Sequence, residues 1–311
     1  MTLTNLEILE EPEPSAAPLS SSAKSAGSAS RGKLIWLRLR STSRFWIGST
    51  IVVLLILWAI FGPIFSHLGA GDTDLLNTGV GPSGSHWFGT DGIGHDLYVE
   101  TALGLRISLV IGLVGGPLGT IIAAIVGAFA GYIGGVFDKV VSWFIDLMLV
   151  LPSFFILLLI SPALKKLSWV ALVFFIPAFG WMIMAQVVRS STRSLTDRDF
   201  VKAARFMGVK TGTIIFRHII PNVASLLIID ATLGVVYAIS SETALSYFGY
   251  GIQAPQISLG TLIADGTPGA TTQSWLFLFP TIALVLLLFA VGLVGDALRD
   301  AVDPTSGVTR D

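Results

Sequence analysis

No cysteine occurs in the 311 residues, which excludes disulfides, thiolate metal sites and a cysteine nucleophile. Charge is scarce too. Asp, Glu, Lys and Arg make up 13% of the chain against 53% hydrophobic residues, with a mean hydropathy of +0.78. That balance excludes an ordinary soluble domain and describes an integral membrane protein. A nucleotide-binding GxxxxGK[ST] loop is missing: the one Gly-Lys pair, Gly32 and Lys33, is followed by Leu34, so the chain does not hydrolyse ATP by that route. The four histidines, His67, His86, His95 and His218, form no HExxH pair, and His95 separates Gly94 from Asp96 where an intramembrane aspartyl protease would need GxGD. No enzyme constellation emerges. The first apolar run begins only after residue 44, so the start does not read as a signal peptide.

What is there is a series of long apolar runs. Residues 1–33 are rich in Ser, Ala, Pro and Glu and read as a disordered cytoplasmic tail. Phe45–Phe65 carries no charge over 21 residues, enough to cross a hydrocarbon core of roughly 30 Å at about 1.5 Å per residue. A polar, glycine-rich loop over 66–106 follows. The later spans are expected at about 107–131, 140–164, 167–188, 219–241 and 274–295, within a transmembrane domain over 34–304 and before a tail over 305–311. The second is dense in glycine (Gly115, Gly116, Gly119, Gly127, Gly131), which suits close helix packing inside a bundle. Asp138 and Lys139 mark a turn after it, and residues 242–273 read as a loop with one partly embedded helix.

The net charge of -1 conceals a segregation along the chain. With the N-terminus in the cytoplasm, sixteen of the nineteen Lys and Arg residues fall inside, leaving Arg106, Lys165 and Lys166 outside. The expectation is an all-α membrane protein of six transmembrane helices with both termini cytoplasmic.

Asp146 and Asp230 lie within spans, and a carboxylate at membrane depth is a functional candidate by default; both are candidates for a pathway or gate. Glu242 opens the mixed segment and is a candidate for lining an outer vestibule. His86, Asp91, His95 and Asp96 have metal-ligand chemistry but irregular spacing, and a hydrogen-bonded turn is the favoured reading, with no metal expected. The most specific stretch is cytoplasmic. Seven Lys or Arg residues crowd between Arg189 and Arg217. Thr196 reads as an N-cap with Asp199 at the third helical position, Ala203 and Ala204 favour helix, and Gly208 stands where it stops. A second helix is expected from Thr211, closed by Pro221.

KAARFMGVKTGTIIFRHIIP, from Lys202, resembles the EAA motif of permease subunits in binding-protein-dependent ABC importers. Ala203, Ala204, Gly208 and Pro221 match, with Lys202 for the Glu, His218 for the Ile and Ile220 for the Leu. HWFGTDGIGHDLYVETALGLRISL, from His86, is similar to the H-x-x-G-T-D-x-x-G-R-D loop of one branch, the second permease subunit of dipeptide and oligopeptide importers, with His95 for the Arg. PNVASLLIIDATL, SETALSYFGYGIQAP and GDALRDAVDP extend that likeness, which covers about residues 31–304.

The resemblance implies a type I importer permease fold with a cytoplasmic coupling helix over about Asp197–Met207, in which Asp197, Arg198, Lys202, Ala203, Ala204, Arg205, Met207 and Gly208 engage an ATPase. It implies two ATPase subunits holding ATP and Mg, a homologous second permease subunit, an external or periplasmic substrate-binding protein, and a place in the bacterial inner membrane. No cofactor on this chain and no nucleic acid are expected. Relatives of the branch carry peptides, haem, glutathione or nickel. An ion-coupled secondary transporter is the reading from another class, but it needs no capped helix between spans four and five.

Overall fold

The computed structural model describes residues 31–69, 71–164 and 169–302. The expectations for residues 1–30 and 303–311, and for Lys165 and Lys166, lie outside them. Among the described residues there is no strand, only a single bridge between Thr90 and Asp96.

The chain opens with α1 (Arg31–Ser41) and α2 (Ser43–Phe61). The helix thus takes in the last three residues of the segment expected to be disordered, because Leu39 finds a buried seat against Ala297 and Ala301. The glycine-rich loop is shorter than expected. It ends at Asp96, and α3 (Leu97–Ile133) starts ten residues before Ile107, so Arg106 belongs to the helix. Asp96 supplies the start signal, accepting a hydrogen bond from the Tyr98 amide at 2.9 Å. At 37 residues, α3 is about 55 Å long, more than a bilayer core requires.

The next two spans are both broken. In α4 (Gly135–Val150) and α5 (Ser153–Leu164) the axis bends by 86°, with Pro152 in the gap. The following span divides into α6 (Val170–Phe175) with α7 (Pro177–Gly180), then α8 (Met182–Thr196), bent by 48°. It runs eight residues past the expected end at Val188. After α9 (Asp199–Phe206), α10 (Thr211–Ile214) begins where expected. Pro221 does not close it. A widened π turn over Ile215–Ile219, in which the Ile220 amide reaches back to Ile215, admits the proline ring, and the helix continues as α11 (Ile220–Tyr247). The mixed segment contains α12 (Leu259–Gly266), closed at its start by a reciprocal capping box between Ser258 and Thr261, and α13 (Ser274–Val302) completes the chain. By length and apolarity four helices suffice to cross a membrane, or six if each bent pair counts as one span.

The long α3 is the axis of the bundle, and its glycines explain why. A Cβ on Gly116 would stand 2.4 Å from the Val235 amide nitrogen of α11, and one on Gly127 or Gly131 would stand 2.5 Å from the Ala185 or Arg189 carbonyl of α8. Backbone therefore meets backbone along both faces, which only residues without a side chain permit. One core cluster links α3, α4 and α8 to α9 and α10 through Ile145, Ala185, Val188, Val201, Ala204 and Ile214, all fully or almost fully buried.

Candidate functional site

The helix α9 has two faces of opposite character. Val201 and Ala204, three residues apart, are 1% and 2% exposed and sit in the core formed with α8 and α10. Between and beyond them Arg198, Lys202, Ala203, Arg205, Phe206 and Met207 face outward. Phe206 is 90% exposed and Met207 76%. Two large apolar side chains thus stand open at the tip of a charged helix.

The helix is narrower than expected, Asp199–Phe206, and its entry differs. Thr196 does not cap it: its hydroxyl donates back to the Thr192 carbonyl at 2.9 Å, making Thr196 the last residue of α8. Arg198 takes the cap position without a side-chain bond, and Asp199 becomes the first helical residue, where its charge complements the helix dipole. The exit is as expected. Gly208 has φ +75°, its amide bonds the Arg205 carbonyl at 3.0 Å, and the Val209 amide bonds the Ala204 carbonyl at 3.1 Å. That pair of bonds is a Schellman motif, with Val209 packing back on the core beside Ala204. Asp197 and Lys202 stand 3.8 Å apart and are both well exposed, a weak contact in water.

Behind α9 lies a pair of contacts that sequence reasoning missed. Asp138, placed in a turn by its position, is 2% exposed in the first turn of α4. Arg189 of α8 reaches it with both Nε and Nη2, the latter at 2.9 Å, and Arg193 adds Nη2 one turn later. The signal was available: an acid just after the Gly134–Gly135 turn, and two arginines four residues apart on the helix entering α9. Phe206, an apolar side chain in a basic stretch, was not singled out from the sequence either.

The three intramembrane acids have different settings. Asp146 is exposed and accepts from Gln186 at 2.7 Å, another α4–α8 link. Asp230 is half-buried, accepts from the Thr120 hydroxyl at 2.6 Å, and borders a cavity of about 190 Å³ with Thr120, Pro177, Met184 and Tyr237. Glu242 is fully buried and faces hydroxyls rather than a vestibule: Ser246 donates at 2.7 Å and Ser108 at 3.3 Å. Ser108 also accepts from the Leu259 amide at 3.4 Å, so the cluster ties α3, α11 and α12 together.

At the other end of α3 the loop from His86 is a folded cap. Gly89 and Gly94 take φ of +81° and +88°. The Thr90 amide bonds the Val80 carbonyl at 2.9 Å while its hydroxyl accepts from the Val80 amide at 3.0 Å. His86 stands 3.2 Å from Asp96 and 3.5 Å from Asp74, whereas His95 stands 2.9 Å from Asp91 and 3.4 Å from Glu100. The four residues considered together from sequence therefore divide into two separate groups.

Residues 123–307 match the family described as binding-protein-dependent transport system inner membrane component, and residues 30–78 match the N-terminal transmembrane domain of oligopeptide transport permease C. The oligopeptide transport system permease protein OppC of Mycobacterium tuberculosis (strain ATCC 25618 / H37Rv) is 46% identical over 226 residues, covering 72% of this chain and 78% of the relative. OppC of Bacillus subtilis (strain 168) is 38% identical over 293 residues, 94% of this chain and 96% of the relative. OppC of Escherichia coli (strain K12) is 40% identical over 280 residues, 88% and 92% respectively.

Proposed function

Because this chain belongs to the binding-protein-dependent transport system inner membrane component family, we propose that it is the permease subunit of an ATP-driven importer of di- and oligopeptides, coupled to its ATPases through α9. The chain is a multi-pass bacterial inner-membrane transport component and not an enzyme, and its family implies no cofactor of its own. Peptide as cargo follows the names of the relatives.

The observation that carries the coupling role is the two-faced α9. Its Val201–Ala204 side is anchored in the bundle core and its Phe206–Met207 tip is presented outward. A push on that tip moves a short helix stopped by Gly208 as a unit. Arg198, Lys202, Ala203 and Arg205 flank the contact, with Asp197 at its entry. From α9 the push passes directly to α8, and through Arg189 and Arg193 to Asp138 and α4. One of two ATPase subunits holding ATP and Mg takes the α9 face, a homologous permease subunit completes the pathway and presents its own coupling helix to the other, and an external binding protein delivers the peptide.

In this arrangement each bent pair counts as one span, giving six, with both termini cytoplasmic and the permease domain over 34–304. The abundance of basic residues around α9 supports that orientation. Asp230, beside its cavity, is the better pathway candidate; Asp146 lies at the α4–α8 seam, and buried Glu242 acts by holding helices together. Uptake of radiolabelled oligopeptide into vesicles carrying the complete transporter and its binding protein tests the reading. Uptake should vanish with an ATPase subunit that cannot hydrolyse ATP. Unchanged uptake under that condition refutes it.

A further inference from the structure

Asp91, His95 and Glu100 bring one nitrogen and two carboxylate ligands together at the junction of the loop and α3, each offering an atom within 4.8 Å of the others. The His95 Nδ1 lies between them, 2.9 Å from Asp91 Oδ2 and 3.4 Å from Glu100 Oε1. One neutral imidazole carries one proton and cannot donate to both. Asp91 is partly served by backbone, since its Oδ1 accepts from the amides of Ile93 and His95. Glu100 has no such help: among the described residues the imidazole is the only polar group its carboxylate touches.

The group is half-buried, and it opens on a cavity of about 840 Å³ that His95 and Glu100 border together with Asp72, Asp96 and Arg106. Two carboxylates around a single imidazole, with access from an open cavity, make a nitrogen-and-oxygen ligand set of the kind a divalent cation takes.

We infer that Asp91, His95 and Glu100 form a structural site for a divalent cation of the zinc class, joining the loop to the first turn of α3. Zinc takes nitrogen and carboxylate oxygen at about 2.0–2.2 Å, which puts tetrahedral ligand atoms roughly 3.3–3.5 Å apart. The His95–Glu100 separation of 3.4 Å lies in that range, while the 2.9 Å between His95 and Asp91 is a hydrogen bond that must open by about 0.4 Å as the ion replaces the proton. The imidazole binds through Nδ1 with its proton on Nε2, and the two carboxylates cancel the ionic charge. Three protein ligands leave a fourth position for water from the cavity. The ion is a fastener of the fold, not a cofactor of a reaction, and the inference does not depend on the cargo or on the coupling role of α9.

The test uses the full chain purified with its co-purifying subunits in lipid nanodiscs, without a histidine tag and stripped by chelator. Zinc chloride alone is titrated calorimetrically, and thermal unfolding is followed with and without it. One zinc ion per chain is expected, with micromolar or tighter affinity and a raised melting temperature. His95→Arg supplies a fixed positive charge in place of the ion. It should keep the metal-free melting temperature, lose at least about tenfold in zinc affinity and lose the zinc-dependent rise. Glu100→Gln should weaken zinc by a similar factor and serves should His95→Arg fail to assemble. No stoichiometric uptake by the wild type, or zinc binding that both variants retain at wild-type affinity, an adventitious ion only, overturns the site.

Discussion

Arg189 grips Asp138 from 51 residues away, both nitrogens on one edge of its guanidinium meeting both oxygens of the carboxylate, so that α8 and α4 are fastened within one turn of the Gly134–Gly135 reversal. Arg193 closes on the same carboxylate. Removing one member of a fully buried pair costs about 3–5 kcal/mol, while exposed pairs contribute less than about 1 kcal/mol. Asp138 is buried, whereas the side chain of Arg189 is 22% exposed and that of Arg193 52%. Asp138→Asn should therefore lower stability by about 2–3 kcal/mol, Arg189→Ala by a similar amount and Arg193→Ala by less than about 1 kcal/mol. Thermal unfolding in detergent would measure the order; Arg193→Ala proving the worst of the three contradicts it.

Phe206 tests the exposed tip of α9. It is 90% exposed and contributes nothing to the core, so Phe206→Asp should leave the melting temperature within about 1 °C of wild type. The same change should reduce co-purification of the ATPase subunits at least tenfold, since an apolar contact would be replaced by a buried charge. Full ATPase recovery with this variant removes α9 as the docking element.

Gly208 separates strain from space. A Cβ there meets nothing within 4 Å, but φ is +75°. Gly208→Leu therefore adds only the left-handed backbone cost of about 1–2 kcal/mol, enough to loosen the helix stop. ATP hydrolysis should continue while peptide uptake per ATP falls severalfold, with binding-protein docking unchanged. Wild-type uptake per ATP in Gly208→Leu would rule out a rigid stop as part of the coupling.

Gly116 and Gly292 make a contrasting pair in membrane helices. A Cβ on Gly116 meets the α11 backbone at 2.4 Å; one on Gly292 meets nothing within 4 Å. Gly116→Ala should force α3 and α11 apart and cost about 1–3 kcal/mol by overpacking, whereas Gly292→Ala should be neutral or slightly stabilising. Yield of monodisperse protein and melting temperature report both.

Glu242 is the buried acid whose neighbours are all hydroxyls. Glu242→Gln keeps the shape, its amide oxygen accepting from Ser246 while its amide nitrogen donates to Ser108, so it should cost less than about 1.5 kcal/mol; Glu242→Ala leaves Ser246 and Ser108 facing a void and should cost more than about 2 kcal/mol. The difference in melting temperature between the two variants checks this.

The sequence by itself determined the class of the chain and most of its helical segments. Uncharged apolar runs such as 45–65 and 274–295 have no stable place in water, and Gly208, ending a short helix ahead of Thr211, marks its own stop through backbone freedom alone. Those are local properties, written within a few residues. The early start of α3 was legible only in part, since the Asp96 cap stands in a loop whose glycines and acids look continuous with it. Tertiary structure decided the rest. Pro221 reads locally as a terminator, yet the π turn before it lets the helix run through. Asp138 reads as a turn residue until the reversal at Gly134–Gly135 brings α4 under α8 and two arginines onto it. Glu242 reads as open to a vestibule until Ser108 and Ser246, from different parts of the chain, enclose it. Such pairings depend on how helices far apart in sequence are laid side by side, and no local periodicity carries that information.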